Sequence, residues 1–545
     1  MRIDPASTQE FAEPSESATA SGATGRCWRV RLEVLTGLLA LVPITLFFLA
    51  SLGRLRYPFP LEQLEGPMLL AAERVAHGLP IYIRPNFTFI PYMYAPAYYY
   101  LSGWAVRWLG PSFATLRLIS LLSTCGSFVL IYFFILKDTM GTRTRRHLAA
   151  LAGAGLYASA YPWTRDWFDL GRVDAFYIFL LLLALLCTRR LHPVFAAVAW
   201  TLAFLAKQTI FPVALVMLCY DWKRPRRVLI GLGSFLLLTA ISTRLLDHAT
   251  HGWFYFYAFT VPHANRDLIL RPAVTFIPSE LIAPFGIALL IVAMAWARHR
   301  RSESAAEQSS TIQFYFLSAA STCTLCWFLQ AHAGATSNTP MPAYAVLAVV
   351  FGIAFGWLDA FFAADSRREP ARIFLLAAVC IPFLSWVYSP HDAIPHSEVA
   401  ASQKDLVAWL REFPGDVFLP SNPEEAVSAG KLWHPDLAAL HDSLRPDIPA
   451  IRQPLLAEIR AEIDQEKFDA IAFDGASAGS VASQPWLPAD LQRHYPIVGL
   501  VPGSDIADPF TPHPVYFLLP CREQGLAMAK GWTLLQTGKQ PPCQH

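Results

Sequence analysis

Apolar runs at residues 33–52, 115–136, 147–162, 174–188, 193–206, 209–220, 229–246, 276–297, 312–330, 340–361 and 373–389 constrain this chain more than any other feature. Hydrophobic residues make up 54% of its 545 positions and charged ones only 15%. That leaves too little polar surface to carry so many apolar runs through water. The chain is therefore expected to be a polytopic α-helical membrane protein with about eleven spans, several shorter than the roughly 20 residues of a full crossing. The runs on either side of Lys207 predict a helical hairpin that reaches the outer surface only at its tip. A net charge of +2, with no basic block interleaved with aromatics, gives no nucleic-acid signature.

The arginines set the orientation. Lys137, Arg143, Arg145 and Arg146, then Arg189 and Arg190, then Lys223, Arg224, Arg226 and Arg227 fall in alternate connections. Arg298, Arg300 and Arg301, then Arg367, Arg368 and Arg372, continue the series. The positive-inside rule makes these cytoplasmic. The opposite set is then 53–114, 163–173, Lys207–Gln208, 247–275, 331–339 and everything after Tyr388. The alternation holds if Ala95–Leu109, apolar on one side and tyrosine-rich, lies in the interface as a helix and does not cross.

Three regions follow: a disordered cytoplasmic tail at 1–31, a membrane domain at 32–389 with a candidate active-site loop at 53–114, and an extracytoplasmic domain at 390–545. In the last, helical patterns (Lys404–Glu412, Pro435–Ser443, Gln453–Glu466) alternate with strand-like runs at 416–420, 468–473, 495–501 and 515–520. That alternation predicts a small α/β domain. It carries no GxGxxG or P-loop. The CxxC of Cys323 and Cys326 lies in an apolar run, where cysteine packs as a small core residue. Cys521 and Cys543 are candidates for a disulfide, with two free thiols the alternative.

Nearly all the chemically interesting polar residues lie in the outer set. In the first outer loop, Pro67 suits the first turn of a short helix that Gly78 and Pro80 would end, so Glu65 stands just ahead of a helix N-terminus. Glu62 and Glu65 are the acidic candidates there, with Glu65 ahead. The second outer loop, YPWTRDWFDLGRVDAF, supplies Asp166, Asp169 and Asp174 with Arg165 and Arg172. Asp174 suits a helix cap, but three acids are more than a cap requires. Lys207 is a lone cation between short apolar helices and calls for an anion, either a phosphate or a carboxylate such as Asp174. The loop 247–275 adds His263, Arg266 and Arg271 beside the aromatic run WFYFY.

Acids in the early loops and cations in the later ones suit sugar transfer from a lipid phosphate. A carboxylate can take the proton of an attacking hydroxyl, and fixed positive charge stabilises the departing phosphate. Acid pairs of this kind also suit a divalent cation, with Glu65 and Asp174 as its candidate ligands. Two other readings stay open: a transporter or flippase of a lipid-linked saccharide, and a non-enzymatic envelope-assembly scaffold. Against transport, the span interiors hold almost no ionisable group, and no internal repeat is visible.

The stretches EGPMLLAAERVAHGLPIY, YAPAYYYLSGWAVRWLG, FATLRLIS, DLGRVDAF, AFLAKQTIF and GATSN carry a resemblance. Over roughly residues 30–390 the chain resembles the polytopic glycosyltransferases of the GT-C fold. Within them it is similar to the bacterial branch related to protein O-mannosyltransferases and lipid A aminoarabinose transferase. The resemblance implies a polyprenyl-phosphate-linked sugar donor and transfer to a cell-envelope acceptor on the outer face of the plasma (inner) membrane, usually with inversion. It puts Glu65 at the acidic motif of the first outer loop and Asp174 or Asp169 at the second acid. Lys207, Arg266, Arg271 and His263 are the expected phosphate contacts. The chain departs from the family in having no DD or DE doublet, only Glu62 and Glu65 separated by two residues, and in YAP at 94–96 in place of a PP pair.

Overall fold

The computed structural model describes residues 16–265, 267–300, 305–474, 487, 491–500, 514–529 and 533–536, and each of the apolar runs carries a helix. Among the described residues, six helical stretches are long and apolar enough to cross a membrane: Val30–Leu55, Phe113–Asp138, Pro225–Ala249, Leu270–Arg300, Ser310–Gln330 and Met341–Ala363. The other five runs form helices of 8 to 18 residues. In chain order the first nine helices are α1 (Glu16–Leu55), α2 (Glu65–Ala76), α3 (Ala97–Leu109), α4 (Phe113–Asp138), α5 (Arg143–Ser159), α6 (Val173–Arg190), α7 (Pro193–Ala206), α8 (Phe211–Leu218) and α9 (Pro225–Ala249). α1, α5, α4 and α6 pack side by side, and Met341–Ala363 packs against α5 and α4 as the most buried helix of the bundle.

The charged connections sort to opposite ends, as the arginine pattern predicts. Arg117 and Asp138 lie near opposite ends of α4, about 30 Å apart at 1.5 Å per residue. At the Asp138 end, Asp138 binds Arg189 (3.2 Å), Arg190 and the Tyr315 hydroxyl (2.5 Å). Arg372 pairs with Asp359 (2.7 Å) and Glu33 at the same end of the bundle, since Glu33 starts the apolar part of α1 and Arg54 ends it. The Arg117 end gathers Arg54, Glu62, Glu65, Arg172, Asp174 and Lys207. Lys207 breaks the chain between α7 and α8 and pairs with Asp174 at that end, while Tyr220 just past α8 accepts a bond from Gln313 (3.0 Å) on the Ala305–Gln330 helix. The pair therefore runs out and back, as a hairpin does.

α2 begins two residues earlier than Pro67 predicts, so Glu65 lies inside its first turn. Its end is as expected: Gly78 takes φ +75° and donates to the Val75 carbonyl, and Leu79 donates to Arg74 (both 2.9 Å). α3 is one-sided: Tyr98, Tyr99 and Ser102 are fully buried, whereas Trp104, Trp108 and Leu109 are exposed, the pattern of an interfacial helix.

The C-terminal region forms a five-stranded sheet, β1 (Asp416–Phe418), β2 (Phe468–Asp474), β3 (Ile497–Leu500), β4 (Pro514–Leu519) and β5 (Thr533–Gln536), in the order β1-β2-β4-β3-β5. β1 and β2 are parallel, and the other pairs are antiparallel. The four strand-like runs appear as β1 to β4. β5, in the short sequence TLLQ, carries too little alternation to be legible. Cys521 is disulfide-bonded, and Cys543 lies outside the described residues. Cys323 and Cys326 are free thiols.

Candidate active site

Glu65 is fully buried and every position on its carboxylate is engaged. Oε1 accepts from Arg117 Nε (3.1 Å) and the Gly171 amide (2.5 Å), and Oε2 accepts from Arg117 Nη2 (2.7 Å) and the Leu61 amide (2.7 Å). Burial alone would raise this carboxyl; Arg117 and the two amides outweigh it and hold Glu65 below the usual carboxylate range. Arg117 also donates to the carbonyls of Arg54 (3.1 Å), Tyr57 (2.7 Å) and Phe59 (2.6 Å). This bidentate pair therefore ties the first outer loop to α4 and, through Gly171, to the second outer loop. A group so saturated has no lone pair left to take a proton from a substrate or to hold a metal ion.

Glu62 differs. Its Oε2 accepts from Arg172 Nη1 (2.7 Å) and from the Leu64 amide (3.0 Å), but Oε1 takes no hydrogen bond among the described residues, and the side chain is 20% exposed. Burial raises its pKa, an effect that Arg172 only partly offsets. Arg172 in turn donates to the Tyr94 hydroxyl (2.7 Å), stacks 4.9 Å above the Trp167 ring, and sits 3.8 Å from Asp174. Asp174 opens α6; its Oδ2 accepts from Trp167 Nε1 (3.0 Å) and its Oδ1 from Lys207 Nζ (2.8 Å). The result is an alternating line of charge, Glu62–Arg172–Asp174–Lys207, drawn from the first outer loop, the second outer loop and the hairpin tip. Next to Lys207, Gln208 donates to the carbonyls of Met93 (2.8 Å) and Ala258 (2.9 Å) and pins that tip in place. Beyond Lys207 opens a small cleft, polar where Asp174, Tyr177, Lys207, Thr209, Asn338 and Thr339 line it and apolar along Leu325 and Leu329.

Asp169 belongs to a separate group. It is buried against Arg54 (3.3 Å) and the Tyr161 hydroxyl (3.0 Å), with burial raising its pKa. Asp166, 3.9 Å from Arg54, is lifted by burial to about 6. Asp169 thus braces the second outer loop against α1 and shares no hydrogen-bond or ion-pair partner with Asp174 among the described residues. His263 and Arg271 are exposed and make no side-chain bond to the charge line among the described residues, and Arg266 lies outside them. No group of three or more His, Cys, Asp or Glu side chains that could hold a metal occurs among the described residues. With Glu65 committed to Arg117 and Asp174 to Lys207 and Trp167, the pair expected to ligate a cation does not fit one.

Arg117 and Arg54 are the residues that sequence reasoning passed over. The signal was present: a single arginine inside FATLRLIS, and another closing the first apolar helix, each require a buried anion.

Site and fold together describe a multi-pass helical membrane protein with a buried, charge-paired site where loops 53–114 and 163–173 meet one end of the bundle. Its architecture is GT-C-like. The structure is similar to that of ArnT from Cupriavidus metallidurans bound to undecaprenyl phosphate, with a TM-score of 0.56 and 14% sequence identity, covering 82% of this chain and 94% of that one. The apo state of the same ArnT gives a TM-score of 0.49 at 15% identity, over 79% and 95% of the two chains. No family model and no curated protein sequence matches the chain.

Proposed function

We propose that this protein is a membrane glycosyltransferase that moves a sugar from a polyprenyl-phosphate-linked donor to a cell-envelope acceptor on the outer face of the plasma membrane. The observation that carries the reading is the charge line Glu62–Arg172–Asp174–Lys207, drawn from three loops and ending at Asp174 and Lys207 on the wall of one cleft. The likeness to ArnT, solved with undecaprenyl phosphate, supports the class of donor.

In this reading the donor phosphate enters the cleft from the bilayer and meets Lys207, with Arg172 behind it. Each cation is already held by a carboxylate, so neither side chain has to be desolvated again when the phosphate arrives, and preorganised positive charge of this kind favours the departing anion. The acceptor hydroxyl oxygen attacks the anomeric carbon, the bond from that carbon to the phosphate oxygen breaks, and the phosphate leaves with the electron pair. The hydroxyl proton passes to Glu62 Oε1. Glu62 suits this role better than Glu65 because it keeps an open oxygen and a raised pKa, whereas Glu65 is saturated and acidic. Glu65, Arg117 and Gly171 then hold the loops in register.

The test is Glu62→Gln in purified full-length protein. Release of polyprenyl phosphate should fall by about 100-fold or more, within the range a general base contributes, with folding and donor binding intact. Turnover at the parent rate in that variant would remove Glu62 from the chemistry.

A further inference from the structure

The C-terminal domain meets the first outer loop through a carboxylate. A Cβ added at Gly66, in the first turn of α2, would lie 2.1 Å from Glu424 Oε2 and 2.2 Å from its carboxyl carbon. A methyl at Gly66 would therefore displace the Glu424 carboxyl group, although the backbone there is ordinary helix. The short helix Pro423–Ser428 that carries Glu424 packs on α2, and Glu424 is 6% exposed. A carboxylate against the first turn of a helix is electrostatically favoured. Glu65, which lies in that turn by sequence, is turned instead toward Arg117.

Two further anchors fix the same loop. The Tyr57 hydroxyl donates to Gln403 Oε1 (2.6 Å), both residues being buried, and the Tyr57 carbonyl accepts from Arg117. Phe87 is fully buried among Phe418, His434 and Phe468, with ring centroids 5.0, 5.1 and 6.0 Å away, and its carbonyl is hydrogen-bonded to His434 Nδ1 (3.0 Å). The segment 57–87, which includes Glu62, is thus gripped by Arg117 and Arg172 on one side and by the C-terminal domain on the other.

We propose that Glu424 is a positioning residue: by seating on Gly66 it locks the C-terminal domain onto α2 and sets the placement of Glu62, so that the C-terminal domain is part of the reaction site. This rests on the proposed transfer reaction for its kinetic consequence and on geometry alone for the seating. The experiment compares the full-length chain with Gly66→Ala, Glu424→Ala and the double variant, by hydrogen exchange over residues 57–87 and by donor turnover. Gly66→Ala should raise exchange there and lower kcat about tenfold while KM for the donor moves less than about twofold, the signature of an effect on the transition state and not on ground-state binding. Glu424→Ala should do the same, and the double variant should be no worse than either single one, because all three chains lack the same seating. Unchanged exchange in Gly66→Ala or in Glu424→Ala, or losses that add in the double variant, would overturn the seating. If exchange behaves as stated and the parent turns over no polyprenyl-phosphate sugar, the lock stands and the transfer reading falls.

Discussion

Two residues separate Glu62 from Glu65, and that spacing turns their carboxylates to different arginines: Glu65 into the bundle against Arg117, Glu62 toward Arg172. The acid position was legible in the sequence, because an acidic loop beside an apolar helix is unusual. Which acid stays open was not legible, since Arg117 lies 52 residues from Glu65 and only the fold brings them together. The two substitutions should therefore fail differently. Glu65→Gln strands the Arg117 guanidinium, and breaking a buried pair costs about 3–5 kcal/mol. It should lower thermal stability and membrane yield, measured by detergent-phase melting, while Glu62→Gln melts like the parent and loses turnover. The pH profile follows from the raised Glu62 pKa: the protonated carboxyl cannot accept a proton, so kcat should rise as pH climbs through that pKa. A kcat flat across the acid range in the parent would contradict the assignment.

At the level of elements, the second outer loop and the α7–α8 tip hold the cations and acids in register. Asp166 adopts φ +60° directly after Arg165 at φ +50°, and Arg54 donates to the Asp166 carbonyl (3.1 Å). With its folded pKa near 6, above the usual 3.8, the Asp166 carboxyl stabilises the fold most when protonated, and that contribution is lost as pH rises through about 6. Asp166→Asn, which copies the neutral acid and tolerates the left-handed conformation, should melt higher than the parent at pH 8. The difference should disappear toward pH 4, and a variant that melts lower at pH 8 would contradict the sign. At the hairpin tip, Lys207→Met removes the cation nearest the cleft and should raise the donor KM. The hairpin was readable from composition because Lys207 interrupts two apolar runs, and so was its pairing with Asp174, as one of two candidate anions. The phosphate contacts expected from loop 247–275 were read from charge alone, and charge alone cannot tell an exposed arginine from one that faces a cleft.

For the whole molecule, apolar runs and alternating arginines made the membrane architecture legible, and the GT-C-like arrangement follows that order. The junction between the sheet domain and the first outer loop was not legible, because it depends on Phe87, Tyr57 and Gly66 meeting partners more than 300 residues away. The proposed orientation predicts that cysteines placed at exposed Leu79 and exposed Arg224 label from opposite faces of intact cells, Leu79→Cys from outside and Arg224→Cys only after permeabilisation. The most direct measurement is to incubate the purified full-length protein with a panel of polyprenyl-phosphate sugars and quantify free polyprenyl phosphate. Time-dependent release from at least one donor is expected, and it is lost in Glu62→Gln. No release from any donor, together with movement of the intact lipid-linked sugar across proteoliposomes, would contradict it.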